Sequence, residues 1–130
     1  MNPGEEHTVP AHVLIAEDEP NIVESLSFIL SREGCEVTAV FDGRAVIDKI
    51  GTMRPDLVIL DVMLPKMNGF EVLKWIKSNP DLKGVPVMIL TAKGQDKDRK
   101  TAEELGADAF VTKPFSNREV VERVMTLASA

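Results

Sequence analysis

Five short apolar runs, each followed by a segment with helical periodicity or a polar connection, constrain the fold of this chain most strongly. The run Leu57 to Leu60 is apolar at every position, which is typical of a parallel strand covered by helices on both faces. The repeating order of strand and helix predicts a doubly wound α/β domain with five strands and five helices. The predicted strands are Val13 to Ala16, Val37 to Phe41, Leu57 to Leu60, Val85 to Leu90 and Ala109 to Val111.

Residues known for starting or ending helices agree with this division. Pro20 suits the first position of a helix, while Gly34 and Gly106 stand where a helix would end in the left-handed conformation. Ser116, with Glu119 three residues later, predicts a capping box at the start of the last helix.

The length of 130 residues fits one domain, which we place at residues 12–130 after a flexible N-terminal tail at residues 1–11. The net charge of −6 argues against a nucleic-acid surface, which depends on lysine and arginine. The longest apolar stretch, Val85 to Leu90, is far shorter than the roughly 20 residues that span a bilayer. With a single cysteine, Cys35, and no signal sequence, we expect a cytoplasmic protein that contacts neither nucleic acid nor membrane.

Polar side chains follow the predicted strands, at the point where each strand ends. Because the carboxyl ends of parallel strands meet at one edge of a sheet, we expect these side chains to lie together. Carboxylates gathered in one crevice must take up protons or bind a cation, and oxygen ligands favour Mg²⁺. A metal beside a carboxylate, a hydroxyl and an ammonium group suits phosphoryl transfer. The residues concerned are Glu17, Asp18, Asp61, Thr91 and Lys113.

Each of these residues also has a plain structural explanation when it is taken alone. Glu17 and Asp18 precede a helix, where acidic residues interact favourably with the helix dipole. Thr91 suits a strand end, Lys113 suits a solvated loop, and Phe110 suits the core. Asp61 alone points to function, because a carboxylate directly after four apolar residues risks a desolvation cost.

The chain resembles the receiver domains of response regulators in two-component signalling. Four segments carry the resemblance: VLIAEDEP at 13–20, VILDVMLPKMNG at 58–69, LTA at 90–92 and TKPF at 112–115. The resemblance implies a flavodoxin-like sheet with the strand order 2-1-3-4-5. It also implies that Asp61 is the phosphoacceptor, and that Asp18, Asp61 and the backbone carbonyl of Met63 bind Mg²⁺ while Glu17 assists through water.

The same resemblance assigns roles to residues on the fourth and fifth strands. Lys113 would pair with the phosphoryl group, and Thr91 would donate a hydrogen bond to it. Phe110 would be an aromatic switch that moves with Thr91. The bond between Lys113 and Pro114 would be cis.

The partners implied are a sensor histidine kinase or a histidine phosphotransfer protein, and a downstream protein target. The target would bind the surface formed by the fourth helix, the fifth strand and the fifth helix. In the branch similar to phosphate-regulon receivers this surface also supports dimers, so we expect a monomer or a dimer favoured by phosphorylation. The residues at the corresponding positions are Arg99, Asp108, Glu119 and Arg123.

Two observations weaken the dimer hypothesis. Ala109 stands where that branch usually has an acidic residue. Glu119 and Arg123 also form a favourable pair four residues apart on one helix, and Glu119 belongs to the predicted capping box, so neither residue requires a partner chain.

We expect a stand-alone receiver that catalyses its own phosphorylation and dephosphorylation, and that is not an enzyme acting on a separate substrate. The alternative is a receiver excised from a DNA-binding response regulator. A Mg²⁺-dependent phosphatase is disfavoured because the segment after the first strand reads Glu17, Asp18, Glu19 instead of Asp-x-Asp. A nucleotide-binding switch would need a glycine-rich phosphate loop, which the sequence lacks.

Overall fold

The computed structural model describes residues 11–92 and 96–128. The predicted tail at residues 1–11 lies outside this part of the chain except for Ala11. Strands and helices alternate along the chain, and all neighbouring strands are parallel in the order β2-β1-β3-β4-β5. The predicted fold class and the strand order implied by the resemblance are therefore confirmed. The strands are β1 (His12–Ala16), β2 (Glu36–Val40), β3 (Leu57–Asp61), β4 (Val87–Ala92) and β5 (Ala109–Lys113); the helices are α1 (Pro20–Arg32), α2 (Gly43–Met53), α3 (Gly69–Ser78), α4 (Asp96–Glu104) and α5 (Asn117–Ala128).

Two apolar cores lie on opposite faces of the sheet, and alternate residues of each central strand feed them. In β3, Leu57 and Ile59 pack with α1 and α5, while Val58 and Leu60 pack with α2 and α3. All five residues of this strand are buried. The double coverage explains why the run is apolar at every position.

The strand bounds differ from prediction mainly at β4. The predicted strand begins at Val85, whereas β4 begins at Val87, directly after Pro86. Proline has no backbone N–H for a strand ladder, although the carbonyl of Pro86 still accepts from the N–H of Val58. Three strands extend further than predicted at their carboxyl ends, so Asp61, Thr91 and Lys113 are residues of the sheet itself.

The helix ends follow the predicted residues. Pro20 is the first residue of α1, and Gly34 and Gly106 have positive φ angles of 87° and 94°. The Oγ of Ser116 accepts a hydrogen bond from the N–H of Glu119 at 3.0 Å, which is one half of the predicted capping box. A complete capping box joins Asn68 and Glu71 at the start of α3. Within the described residues, every helix is too short or too polar to cross a membrane.

Candidate functional site

Four polar side chains converge at the carboxyl edge of the sheet. Glu17 directly follows β1, Asp61 ends β3, Thr91 lies next to the end of β4, and Lys113 ends β5. Glu17, Asp61 and Thr91 are 0%, 3% and 2% exposed, although they are polar. The order of the strands brings them together, because β1 and β3 are neighbours and β4 pairs with both β3 and β5.

The ammonium group of Lys113 lies at the centre of three carboxylates. Its Nζ is 2.8 Å from Oε1 of Glu17, 3.4 Å from Oδ2 of Asp61 and 3.6 Å from Oε1 of Glu19. Burial alone would lower the pKa of Lys113, but these carboxylates outweigh burial and the pKa lies above its ordinary value. One ammonium group therefore interacts with three carboxylates.

Burial also acts on Glu17. It raises the pKa of this carboxyl group to about 7, against the lowering effects of Lys113 and of the N–H of Glu19. The charge of Asp61 adds to the increase. Glu17 consequently holds a proton more readily than an ordinary glutamate does.

Backbone N–H groups orient two of the carboxylates. The N–H of Glu19 donates to Oε2 of Glu17 at 3.1 Å, and the N–H of Met63 donates to Oδ1 of Asp61 at 3.2 Å. Oε1 of Glu17 contacts Lys113 as an ion pair, but among the described residues it is the one buried side-chain polar atom without a directed hydrogen bond. Its remaining capacity to accept is therefore available to a ligand.

The carboxylates could hold a metal ion. One oxygen each from Glu17, Glu19 and Asp61 lie within 4.8 Å of one another. Hard oxygen donors of this kind suit Mg²⁺, which keeps several of its waters when it binds to proteins. Oε1 of Glu17 pairs with Lys113 at 2.8 Å and keeps capacity to accept from a further ligand, which agrees with a metal at this position.

The structure gathers a slightly different acidic set from the one that the resemblance implies. Glu17 and Asp61 lie together, whereas the exposed Asp18 is not a member of the group and Glu19 is. Glu19 has an extended backbone at the N-cap of α1, and the chain bends at Asp18 between the two glutamates. The run of three acidic residues at 17–19 is the sequence signal that could have identified Glu19. Met63 is 76% exposed, and its N–H donates to Oδ1 of Asp61, two residues earlier in the chain.

The two residues expected to act as switches both contact α4. Oγ1 of Thr91 donates a hydrogen bond to Oδ2 of Asp98 at 3.0 Å. The guanidinium group of Arg99 lies 4.7 Å from the centre of the Phe110 ring, which is buried. The bond between Lys113 and Pro114 is cis.

The four residues predicted for a dimer surface have different surroundings. Arg99 covers Phe110, while Asp108 accepts from Nζ of Lys77 at 3.0 Å and from the N–H of Val87 at 2.8 Å. Asp108 is thus engaged within its own chain. In the described part of α5 the pair four residues apart is Arg118 with Glu122, at 3.5 Å, and not Glu119 with Arg123.

A groove of about 490 Å³ opens beside Asp61. Its walls come from α1 and from the segment after β5, so it connects the carboxylate cluster to the protein surface. Much of its lining is apolar, and the residues include Ile22, Ser25, Met63, Pro114 and Phe115.

Comparison with known proteins adds the family. The family described as response regulator receiver domain matches residues 13–125. The chain is 43% identical over 115 residues to the alkaline phosphatase synthesis transcriptional regulatory protein PhoP of Bacillus subtilis, covering 88% of this chain and 47% of PhoP. The chain thus spans about half the length of the curated relatives that it matches.

Solved structures agree on the fold. A response regulator from Chloroflexus aurantiacus superposes with a TM-score of 0.91 at 31% identity, covering 94% of this chain and 100% of that one. The receiver domain of the sensor histidine kinase PA1611 from Pseudomonas aeruginosa has a TM-score of 0.85 at 24% identity, covering 94% and 100%, and holds a magnesium ion in its active-site cleft.

The family match extends over most of the chain, and the polar strand ends lie at the edge that the strand pattern predicted. The chain therefore belongs to the response-regulator receiver family of two-component signalling.

Proposed function

We propose that Asp61 is a phosphoacceptor that takes a phosphoryl group from the phosphohistidine of a kinase or phosphotransfer partner. The observation that carries this proposal is the partly buried Lys113 ammonium group, which lies within ion-pair distance of both Asp61 and Glu17. A fixed cation beside a buried carboxylate is in place to neutralise the charge that a phosphoryl group brings.

In the transfer, an oxygen of Asp61 forms a bond to phosphorus while the bond from phosphorus to the histidine nitrogen breaks. The electron pair of that bond stays on the imidazole, which then takes up a proton from water. Lys113 neutralises phosphoryl oxygens, and the hydroxyl of Thr91 donates a hydrogen bond to one of them. Phosphorylation adds about −1.5 to −2 charge to a cluster that already holds three carboxylates and one ammonium group.

The charge balance supports a divalent cation as the cofactor, and we propose Mg²⁺. Glu17 and Asp61 would hold it, with Glu19 as placed in the structure or Asp18 as implied by the resemblance. The receiver of PA1611, which shares the fold, holds magnesium in its cleft. When bound, the ion supplies positive charge to the phosphoryl oxygens.

The groove beside Asp61 supports the assignment of the upstream partner. It joins the cluster to an apolar surface on α1 and on the segment after β5, which is where a phosphohistidine would have to approach. The downstream partner would bind the surface of α4, β5 and α5, because both switch residues contact α4.

We further propose that the protein acts in signalling and has no separate substrate. We also propose that it acts in the cytoplasm, where the free Cys35 would remain reduced.

Both predicted forms of the protein fit the comparisons. The chain covers all of the Chloroflexus response-regulator chain and about half of PhoP. A stand-alone receiver and the receiver part of a longer transcriptional regulator would use the same acceptor chemistry.

The test is the intact mass after incubation with Mg²⁺ and acetyl phosphate. We expect a gain of one phosphoryl group that hydroxylamine removes and that Asp61→Asn abolishes. Asp56→Asn is the matched control, because Asp56 lies at the opposite edge of the sheet and accepts from the N–H of His12. If neither acetyl phosphate nor a phosphorylated histidine protein adds mass to the parent chain, the proposed function is wrong.

A further inference from the structure

The hydroxyl group of Thr91 already donates a hydrogen bond in this structure. Its Oγ1 donates to Oδ2 of Asp98 at 3.0 Å, and Thr91 is 2% exposed. A hydroxyl group has one proton to donate. It cannot donate to a phosphoryl oxygen on Asp61 while it donates to Asp98.

The helix that carries Asp98 has little apolar contact with the rest of the domain. Ala102 is the one buried residue among those described in α4, and the helix is otherwise rich in charged residues. Polar contacts must therefore contribute much of its docking. Two of them come from adjacent positions, Asp98 on Thr91 and Arg99 on the ring of Phe110.

We propose that Asp98 is a positioning residue that holds the Thr91 hydroxyl on α4 in the unphosphorylated protein. This inference rests on the proposed function and adds a specific competitor to it. The Asp98 carboxylate and the phosphoryl group compete for one proton, so phosphorylation must break the bond between Thr91 and Asp98. Loss of that bond removes one of the two contacts by which α4 holds the switch residues.

The experiment measures the affinity for beryllofluoride, which mimics a phosphoryl group on a carboxylate, by calorimetry at saturating Mg²⁺. Asp98→Ala removes the competitor, so we expect binding about five- to tenfold tighter, as a charged hydrogen-bond acceptor is lost from the unbound state. Asp98→Asn keeps an acceptor oxygen without the charge, and we expect a smaller gain. Asp96→Ala removes the same charge from an exposed position on α4 and should leave the affinity within twofold.

A double substitution separates positioning from general loosening of the helix. If Asp98 acts through Thr91, the gain from Asp98→Ala disappears in a Thr91→Val background. Urea unfolding of the four chains, the parent, the two single variants and the double variant, should show coupling between the two positions. The unfolding data also establish that each variant folds.

Two outcomes would overturn the inference. One is an affinity of Asp98→Ala no tighter than that of Asp96→Ala; the other is a gain that persists in the Thr91→Val background. Phosphorylation of the parent chain by acetyl phosphate is measured alongside. Absence of phosphorylation both there and with a phosphorylated histidine protein contradicts the proposed function, whereas phosphorylation of the parent with an unchanged Asp98→Ala affinity contradicts only the role of Asp98.

Discussion

The two edges of the sheet each surround a lysine with oxygen atoms, and they do so in different ways. At the amino edge, Nζ of Lys77 donates to the carbonyls of Lys83 and Val85 at 3.1 and 2.9 Å and to Oδ2 of Asp108 at 3.0 Å. The ammonium group has three donors, and all three are used. Asp108 also accepts from the N–H of Val87 at 2.8 Å.

At the carboxyl edge, Lys113 faces three carboxylates, and Oε1 of Glu17 lacks a directed hydrogen bond. At the amino edge, the charge and the hydrogen-bond donors of Lys77 are fully used by its neighbours. The carboxyl edge has more negative groups than positive ones, and a groove there leaves room for a ligand. A partly buried lysine with every donor satisfied, such as Lys77, stabilises the fold. A partly buried lysine shared by three carboxylates, such as Lys113, indicates a site that a further cation would complete.

The largest expected difference between the two lysines is in phosphorylation. Lys113→Met removes the cation beside Asp61, so we expect phosphorylation by acetyl phosphate to slow by about 10²-fold or more. Lys77→Met removes the lysine at the other edge and should leave the rate within about twofold. Time courses of intact mass measure both, and equal losses in the two variants would show that the edges do not differ in this way.

The next effect concerns pH in the metal-free protein. The Glu17 carboxyl titrates near 4.5 when unfolded and near 7 when folded, so the folded chain binds more protons between these values. The free energy of unfolding therefore falls as pH rises through this window, by up to about 3 kcal/mol, and levels off above it.

Glu17→Gln removes this titration and should flatten the decline, which urea unfolding with a chelator present at several pH values would measure. Asp108→Asn changes a carboxylate at the amino edge. Its free energy of unfolding should fall with rising pH as that of the parent chain does. A parent chain whose stability rises between pH 5 and 7 would contradict the argument.

Mg²⁺ should act on one edge only. An ion that binds the folded chain stabilises it by about 2.7 kcal/mol at one hundred times its dissociation constant, which would raise the melting temperature by several degrees. Asp61→Asn should lose most of this increase, while Asp56→Asn at the amino edge keeps it. An equal increase in all three chains would place the ion elsewhere.

Much of the fold and part of the site followed from the sequence, because both depend on short-range pattern and on the parallel sheet. The apolar run of β3 requires two covered faces, and parallel strands then bring Glu17, Asp61 and Lys113 to one edge. The acidic run at 17–19 and the capping-box spacing of Asn68 and Glu71 are further signals in the sequence.

Other contacts depend on tertiary structure that no local pattern encodes. Lys77 and Asp108 are 31 residues apart in the sequence. Nothing in the residues next to either one distinguishes it from an exposed polar residue. Asp98 lies in a helix whose charged sequence is typical of a solvated surface. Its bond to Thr91 exists because α4 lies over the end of β4, which depends on how the helices dock on the sheet.

The smallest expected effect concerns the hydrogen bonds that Lys77 makes at the amino edge. Lys77→Met leaves the carbonyls of Lys83 and Val85 and the carboxylate of Asp108 without their shared donor, so we expect a loss of about 2 kcal/mol in the free energy of unfolding. Lys74→Met, at an exposed position of the same helix, should change stability by less than about 0.5 kcal/mol. Urea unfolding measures both. If Lys77→Met unfolds at the same urea concentration as the parent, the hydrogen bonds at the amino edge do not stabilise the fold, and the contrast between the edges would depend on the carboxylate cluster alone.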